Sequence, residues 1–298
     1  MKVLIYGSRG WIASYVISEL MSHDHEIVAA YPSRADDEDM VRKDLDLYQP
    51  THVLSLIGRT HGPGFSTIDY LEQPGKLVDN IKDNLYGPMV LALECKKRNI
   101  HFTYLGTGCI FSGPSEKLYD EDDKPDFFGS SYSVVKGFTD RLMHLLHDTV
   151  LNVRIRMPIT SDDSPRNFIN KITTYKKICS MPNSMSVLPS LVPYIVRMME
   201  MKHVGTINMT NPGIITHNDI LEMYRDIVDP TFSWENFTEQ EQDCVLQSKR
   251  SNNHLDTTKL EMLFPDVPSI YSAVEACLLK MVNTSYQTDF DSFISDDI

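Results

Sequence analysis

Short apolar runs recur along the first half of the chain and alternate with stretches in which apolar positions return at helical spacing. KVLIY at 2–6, EIVAAY at 26–31, HVLSLIG at 52–58, HFTYLGT at 101–107 and LNVRIRMP at 151–158 have the near-continuous apolar character of strands buried on both faces. WIASYVISEL at 11–20 and the stretches near 77–98 and 131–147 carry the helical period instead. This alternation predicts an α/β fold, a Rossmann-type doubly wound parallel sheet that binds ligands at the carboxyl ends of its strands. Beyond about residue 158 the rhythm weakens and proline and asparagine rise. Helical patterns near 166–177, 190–201, 216–228 and 268–281, with short strands at 184–188 and 204–209, predict a smaller C-terminal lobe. The division is therefore 1–158 for the nucleotide-binding domain and 159–283 mainly for a substrate-binding lobe. The polar, acidic segment 284–298 is expected to be flexible.

Composition narrows the function. The chain has 298 residues, 42% of them hydrophobic, which suffices for a large core. Its formal charge of -13 excludes a general nucleic-acid binder, since phosphate backbones are held by basic surfaces. The acid excess gathers in ADDEDM near 37, YDEDDKPD near 122 and the last ten residues, read as solvated loops and tail. Five cysteines, Cys95, Cys109, Cys179, Cys244 and Cys277, lack any CxxC spacing, so neither a disulfide framework nor a metal site is indicated. No apolar stretch reaches the roughly 18 residues of a membrane span and no basic leader precedes the first strand. A cytoplasmic protein without membrane or nucleic-acid partners is expected.

Gly7, Gly10 and Ala13 form GxxGxxA directly after the first strand, where backbone amides and a helix N-terminus can receive a pyrophosphate. Ser8, Arg9, Trp11 and Ile12 share that turn, and Ile57 and Gly58 close the third strand beside it. Arg9 and Arg34 suit a ribose phosphate and favour NADPH, whereas Asp36 offers the alternative of holding a free ribose hydroxyl. Thr107 ends a strand, and Tyr132 lies one helical turn before Lys136. A lysine ammonium beside a phenol favours the phenolate, and with Thr107 on the carbonyl oxygen this is a ketone-reducing set. Cys109, two residues past Thr107, is either a buried small hydrophobe or a second acid or base facing the same pocket.

At these residues the chain resembles the extended short-chain dehydrogenase/reductase family, and within it the enzymes that epimerise C3 and C5 and reduce C4 of a UDP-4-keto-6-deoxy sugar on the way to UDP-L-rhamnose. LIYGSRGWI, PTHVLSLIG, TGCIF, GSSYSVVKG, RIRMPI, PRNFINKIT, PNSMSVL, FSWENFT and RSNNHLDTTKL carry the likeness over nearly the whole chain. The resemblance implies that Cys109 and Lys171 are an epimerase acid/base pair. Lysine in the second role departs from the related GDP-fucose synthase, which has histidine there. It further implies a UDP-sugar ligand and a homodimer formed through the helices near 77–98 and 131–147. Arg166, Asn167, Asn208, Arg250 and Asn253 are the candidates for holding substrate, and Asn84 resembles the family asparagine that supports the catalytic strands. The loop from Arg59 to Ser66 departs from the family pattern. A plain 4-keto-reductase, or a non-catalytic cofactor-binding regulatory subunit, are the competing functions.

Overall fold

The computed structural model describes residues 1–113 and 117–283, and beyond them the course of the last helix to Ser295. Of the tail expected to be flexible at 284–298, the helix runs on to Ser295 and residues 296–298 lie outside the described residues. The strands are β1 (Lys2–Tyr6), β2 (Glu26–Ala29), β3 (His52–Ser55), β4 (His101–Thr107), β5 (Leu118–Tyr119), β6 (Val150–Ile155), β7 (Lys177–Ile178), β8 (Gly205–Asn208), β9 (Glu235–Asn236) and β10 (His254–Leu255). The helices are α1 (Trp11–Ser22), α2 (Glu38–Tyr48), α3 (Leu77–Ile81), α4 (Gly87–Arg98), α5 (Ser131–Leu145), α6 (Phe168–Thr173), α7 (Leu188–Glu200), α8 (His217–Ile227), α9 (Glu239–Val245), α10 (Thr258–Leu263) and α11 (Ile270–Ser295).

Six strands form one parallel sheet in the order β2-β1-β3-β4-β6-β8. Its central strands are apolar on both faces because helices cover both sides. Val3, Ile5, Leu54, Leu151 and Val153 pack toward α1 and α7, whereas Leu4, Tyr6, Val53, Phe102 and Tyr104 pack toward α2, α4 and α5. The order of connection reverses at β1 and β3, which opens a crevice at their carboxyl ends. Beyond those ends a third apolar cluster, including Ile159, Ile172, Met185, Ile220 and Val274, binds α6, α8 and α11 together. The chain also crosses back after residue 158, since α7 and β8 complete the layers of the main sheet.

Three expectations differ. The acidic run near 37 is not a solvated loop: Asp37 caps α2 by accepting from the Met40 amide at 3.0 Å, and Glu38 and Asp39 occupy its first turn, where the helix dipole favours anions. Residues 184–188 form no strand, only a bridge of Val187 to Ile159. The segment is fully buried, but its amides and carbonyls are met singly by Arg156, Ile159 and Asn253 from loops, and α7 begins at Leu188 with a proline in its first turn. The helix expected over 166–177 is confined to α6, because Asn167 starts it and the chain then extends into β7. No helix among the described residues is long and apolar enough to cross a membrane.

Candidate active site

The glycine turn after β1 fits a group that must approach the backbone closely. Gly7 has φ +85°, and a Cβ there would lie 2.9 Å from the Leu56 carbonyl carbon and 3.0 Å from the Ile57 nitrogen. Gly10 donates its amide to Gly7 O at 3.0 Å, and Ala13 is wholly buried under the turn. A cleft of about 390 Å³ opens above it, bordered by Gly7 to Gly10, Ala30 to Asp36, Leu56 to Arg59 and His61, with Lys82, Asp83 and Gly87 on its far wall. The two glycines, the open crevice and the helix N-terminus together suit a dinucleotide.

Charge in the cleft is arranged around two arginines. The Arg9 guanidinium stacks 4.0 Å from the Tyr31 ring centroid. Arg34 donates to Asp36 at 2.7 Å and to Asp83 at 3.1 Å, and the Asp36 contact first raises its pKa further. Asp36 is thereby engaged. Trp11 and Ile12 turn their side chains away from the cleft: the Trp11 indole donates to Asp162 at 2.8 Å and Ile12 packs into the sheet's apolar layer. Only their backbone belongs to the glycine turn.

Thr107 ends β4, and its hydroxyl accepts from the Cys109 amide at 3.1 Å, so the tight turn carries both residues to one place. Tyr132 opens α5, which starts there because Ser130 accepts from the Ser133 amide at 3.0 Å. The phenol packs against Tyr70 and Leu71 with Cys109 beside it. Burial, followed by the neighbouring Cys109, raises the Tyr132 pKa, while the Thr107 hydroxyl pulls it down. Lys136 is 3% exposed, and burial lowers its pKa to about 7 against the opposing pull of Asp140 and Cys109. Its ammonium donates to the Tyr104 hydroxyl and to Leu105 O at 3.2 Å. The expected lowering of the Tyr132 pKa by Lys136 is therefore not observed; the ammonium is drawn to Tyr104, and desolvation dominates the phenol.

Lys171 lies on α6, where burial and then Arg166 lower its pKa. Arg166 meets the His61 Nε2 at 2.7 Å, and His61, whose pKa is lowered by burial and by Arg166, Lys171 and Arg59, joins this group to the cleft. His61 and Tyr104 were not anticipated. A histidine in a loop and a tyrosine within an apolar strand gave no separate signal.

Several predicted substrate contacts are corrected. Asn167 is fully buried as the cap of α6, accepting from the Thr160 and Ile169 amides and donating to Thr160 O at 2.8 Å. Asn208 is fully buried between β5 and β10, donating to Tyr119 O and Asp256 O and accepting from Arg154. Asn253 is also buried, donating to Gly108 O and Phe111 O at 3.0 Å each and accepting from Arg156. These amides are spent on the fold. Arg250 is held by Asp69 at 2.8 Å; burial opposes, but hydrogen bonds from Arg250, Ser248 and Thr67 hold that carboxyl at about 2. Asn84 sits on a π-helical turn, Lys82–Tyr86, between α3 and α4. It donates to Asn80 and to Arg59 O, its own carbonyl accepts from Thr139 at 2.7 Å, and its side-chain oxygen, 4.0 Å from where a Gly58 Cβ would stand, has no partner. Asn84 thus ties the loop after β3 to α5. Among the described residues the one cluster with metal-ligating spacing, His23, His25 and Glu200, lies outside this site.

A parallel Rossmann-type sheet with a glycine cradle at its switch point, and a Thr–Tyr–Lys set at the end of β4, defines a dinucleotide-dependent reductase of the short-chain class. The family profile of the RmlD substrate binding domain matches residues 1–175, and the chain belongs to that family, among its epimerase/reductase enzymes of rhamnose synthesis. L780 of Acanthamoeba polyphaga mimivirus is 54% identical over 286 residues, covering 94% of this chain and 99% of the relative. The crystal structure of L780, described as a UDP-rhamnose synthase, matches with a TM-score of 0.92. A bifunctional dTDP-4-dehydrorhamnose 3,5-epimerase/dTDP-4-dehydrorhamnose reductase of Arabidopsis thaliana is 38% identical, over 90% of this chain and 89% of the relative. A dTDP-4-dehydrorhamnose reductase of Bacillus anthracis, solved in complex with NADP, shares the fold at 16% identity with a TM-score of 0.80, covering 94% of this chain and all of its own.

Proposed function

We propose that the protein inverts C3 and C5 of UDP-4-keto-6-deoxy-D-glucose and reduces its 4-ketone with NADPH, giving UDP-β-L-rhamnose. The observation that carries this reading is the position of Cys109: the turn that brings Thr107 to Tyr132 places a thiol against the same phenol. Reduction alone has no use for that thiol. The relatives' names point to the same sugar chemistry, and Arg9 and Arg34 at a cleft whose Asp36 is engaged support the phosphorylated cofactor.

A 4-ketone acidifies the hydrogens on C3 and C5. Thr107 and Tyr132 present hydroxyl donors side by side, so they would hold O4 as negative charge develops on it in each enolate. Cys109 and Lys171 would act on opposite faces, one removing the carbon-bound proton and the other returning one, so that each centre inverts. Burial lowers the proton affinity of the Lys171 amine, which eases exchange near neutral pH. NADPH, which the glycine turn from Gly7 to Gly10 and the cleft above it would hold, would supply a hydride for C4. Tyr132 then gives O4 its phenolic proton, which its raised pKa retains in the free enzyme. Lys136 holds Tyr104 and the β4 backbone in place beneath the phenol and is the residue that would meet the cofactor's ribose. The exposed apolar side chains of α3, the π-helical turn after it and α5, Val78, Tyr86, Phe138, Leu142 and Leu145 among them, support a homodimer.

The test is mass spectrometry of UDP-4-keto-6-deoxyglucose incubated with the protein and NADP+ in heavy water. Deuterium should enter at two positions, about 100-fold more slowly in Cys109→Ala. NADPH oxidation without exchange would leave a plain 4-keto-reductase, and no oxidation at all would refute the reductase assignment.

A further inference from the structure

Two arginines stand two residues apart at the end of β6, and the structure treats them differently. Arg154 forms a bidentate pair with Asp140, at 2.9 Å from Nε and 2.8 Å from Nη2. Arg156 is 1% exposed and has no carboxylate partner among the described residues. Its Nη1 and Nη2 donate to four neutral oxygens: Asn253 O at 2.8 Å, the Asn253 side chain, Asn183 Oδ1 at 2.8 Å and Ser251 O at 2.8 Å. The amide nitrogens of Asn183 and Asn253 are committed elsewhere, which turns their oxygens to the guanidinium. Its Nε has no partner.

A buried cation with only neutral acceptors is costly and calls for a counter-charge. Among the described residues the neighbour able to become an anion there is a thiol, Cys109. The arginine stem runs under Gly108, where a Cβ would stand 2.8 Å from its Cδ, so any larger residue would push the stem away. Cys109 follows Gly108 directly along the chain; burial weakens the guanidinium's hold on its proton and Cys109 opposes that loss. The other titratable groups facing Cys109 are Tyr132 and Lys136.

We propose that Arg156 is a positioning residue that supplies the fixed counter-charge to the ionised sulfur of Cys109, held ready by the Asn183 and Asn253 cage. This rests on the epimerase reading of Cys109. Its place in the reaction is to make the sulfur's proton cheap to move while Thr107 and Tyr132 manage O4.

The experiment is alkylation of the free enzyme by iodoacetamide, following the Cys109 peptide by mass spectrometry at pH 7 and pH 9.5. Arg156→Met should lower the ratio of the pH 7 rate to the pH 9.5 rate by about tenfold or more, and Arg156→Lys should retain most of it. A ratio unchanged in Arg156→Met overturns the proposal. So does an equal fall in both variants, which would mark a structural role, or a fall on Lys136→Met alone, which would make Lys136 the counter-charge. Should Arg156→Met fail to fold, a second pair leaves Arg156 in place. Cys109→Asp should melt above Cys109→Asn at pH 7, and the margin should vanish as acid protonates the new carboxylate; no margin at pH 7 overturns the pairing. Neither measurement uses sugar or cofactor. Absent deuterium exchange in the unsubstituted enzyme would sink the epimerase reading while these ratios still decide the Arg156 pairing.

Discussion

Lys136→Met is the most direct test of how burial sets the protonation of this site. Lys136 is buried with its pKa lowered from 10.5 to about 7, so at neutral pH the unfolded chain binds a proton that the folded protein holds only half the time. Stability rises with pH wherever the unfolded state binds more protons, and the window here runs from about pH 7 up to the unfolded value near 10.5. Each pH unit inside it contributes about 1.4 kcal/mol, and allowing for half-protonation at pH 7 the gain between pH 7 and 9 is about 2 kcal/mol. Methionine keeps the aliphatic stem and abolishes the titration. Buried Tyr6, Cys95 and Tyr132, with raised values, titrate in both proteins and cancel in the comparison. Urea unfolding at pH 7, 8 and 9 should therefore show the variant more stable than the parent at pH 7, with the margin shrinking by about 2 kcal/mol at pH 9. Reduction of the ketosugar should fall at least about 100-fold. A margin that stays flat over that range, or grows with pH, would refute the reasoning.

Gly7→Ala should cost about 1–2 kcal/mol from the positive φ alone and more from the close approach to Leu56, and should weaken NADPH binding at least tenfold by fluorescence titration. Unchanged cofactor affinity would mean the turn is not a dinucleotide cradle. Leu142→Asp, in the apolar groove lined by Val78, Leu85, Tyr86 and Met89, should convert a dimer to a 34.1 kDa monomer on sizing; a parent that is already monomeric would refute the dimer. Asp140→Asn should destabilise by about 3–5 kcal/mol, since it strands the buried charge of Arg154, and a chemical-denaturation loss under 1 kcal/mol would show that the remaining acceptors, Asp120 O and Asn208 Oδ1, suffice.

Periodicity carried the main sheet because strands covered by helices on both faces are apolar at every position, as in KVLIY, and few other structures write that pattern. Gly7 was legible for a related reason: a backbone that must approach another backbone excludes a side chain. Acidic α2 was missed because Asp37, Glu38 and Asp39 look like loop residues until one counts them as a cap and first turn. The asparagines misled in the other direction. Asn167, Asn208 and Asn253 have the chemistry of ligand contacts, and only the packing shows that backbone groups consume their amides. The charges inside RIR were the unused signal. Two arginines in a strand otherwise apolar must each find compensation, and Arg154 and Arg156 find it differently.

The buried pair at the head of α5 shows why such a site is costly to keep. Desolvation favours the neutral form of every group it touches, so it raises the phenol of Tyr132 and lowers the amine of Lys136 together. In the proposed mechanism the neutral form of Tyr132 is the proton donor to O4, and burial serves that role. For Lys136 the neutral form is the wrong one for the cation that the proposed mechanism sets against Tyr104 and a ribose, and burial opposes it. One packing arrangement of Tyr70, Leu71 and Tyr132 cannot satisfy both. The expectation follows that Lys136→Met stabilises what it disables, whereas Tyr132→Phe, which removes a phenol already neutral, should leave stability within about 1 kcal/mol while abolishing protonation of O4. Tyr132→Phe that is markedly stabilised at pH 7 would contradict that assignment of costs.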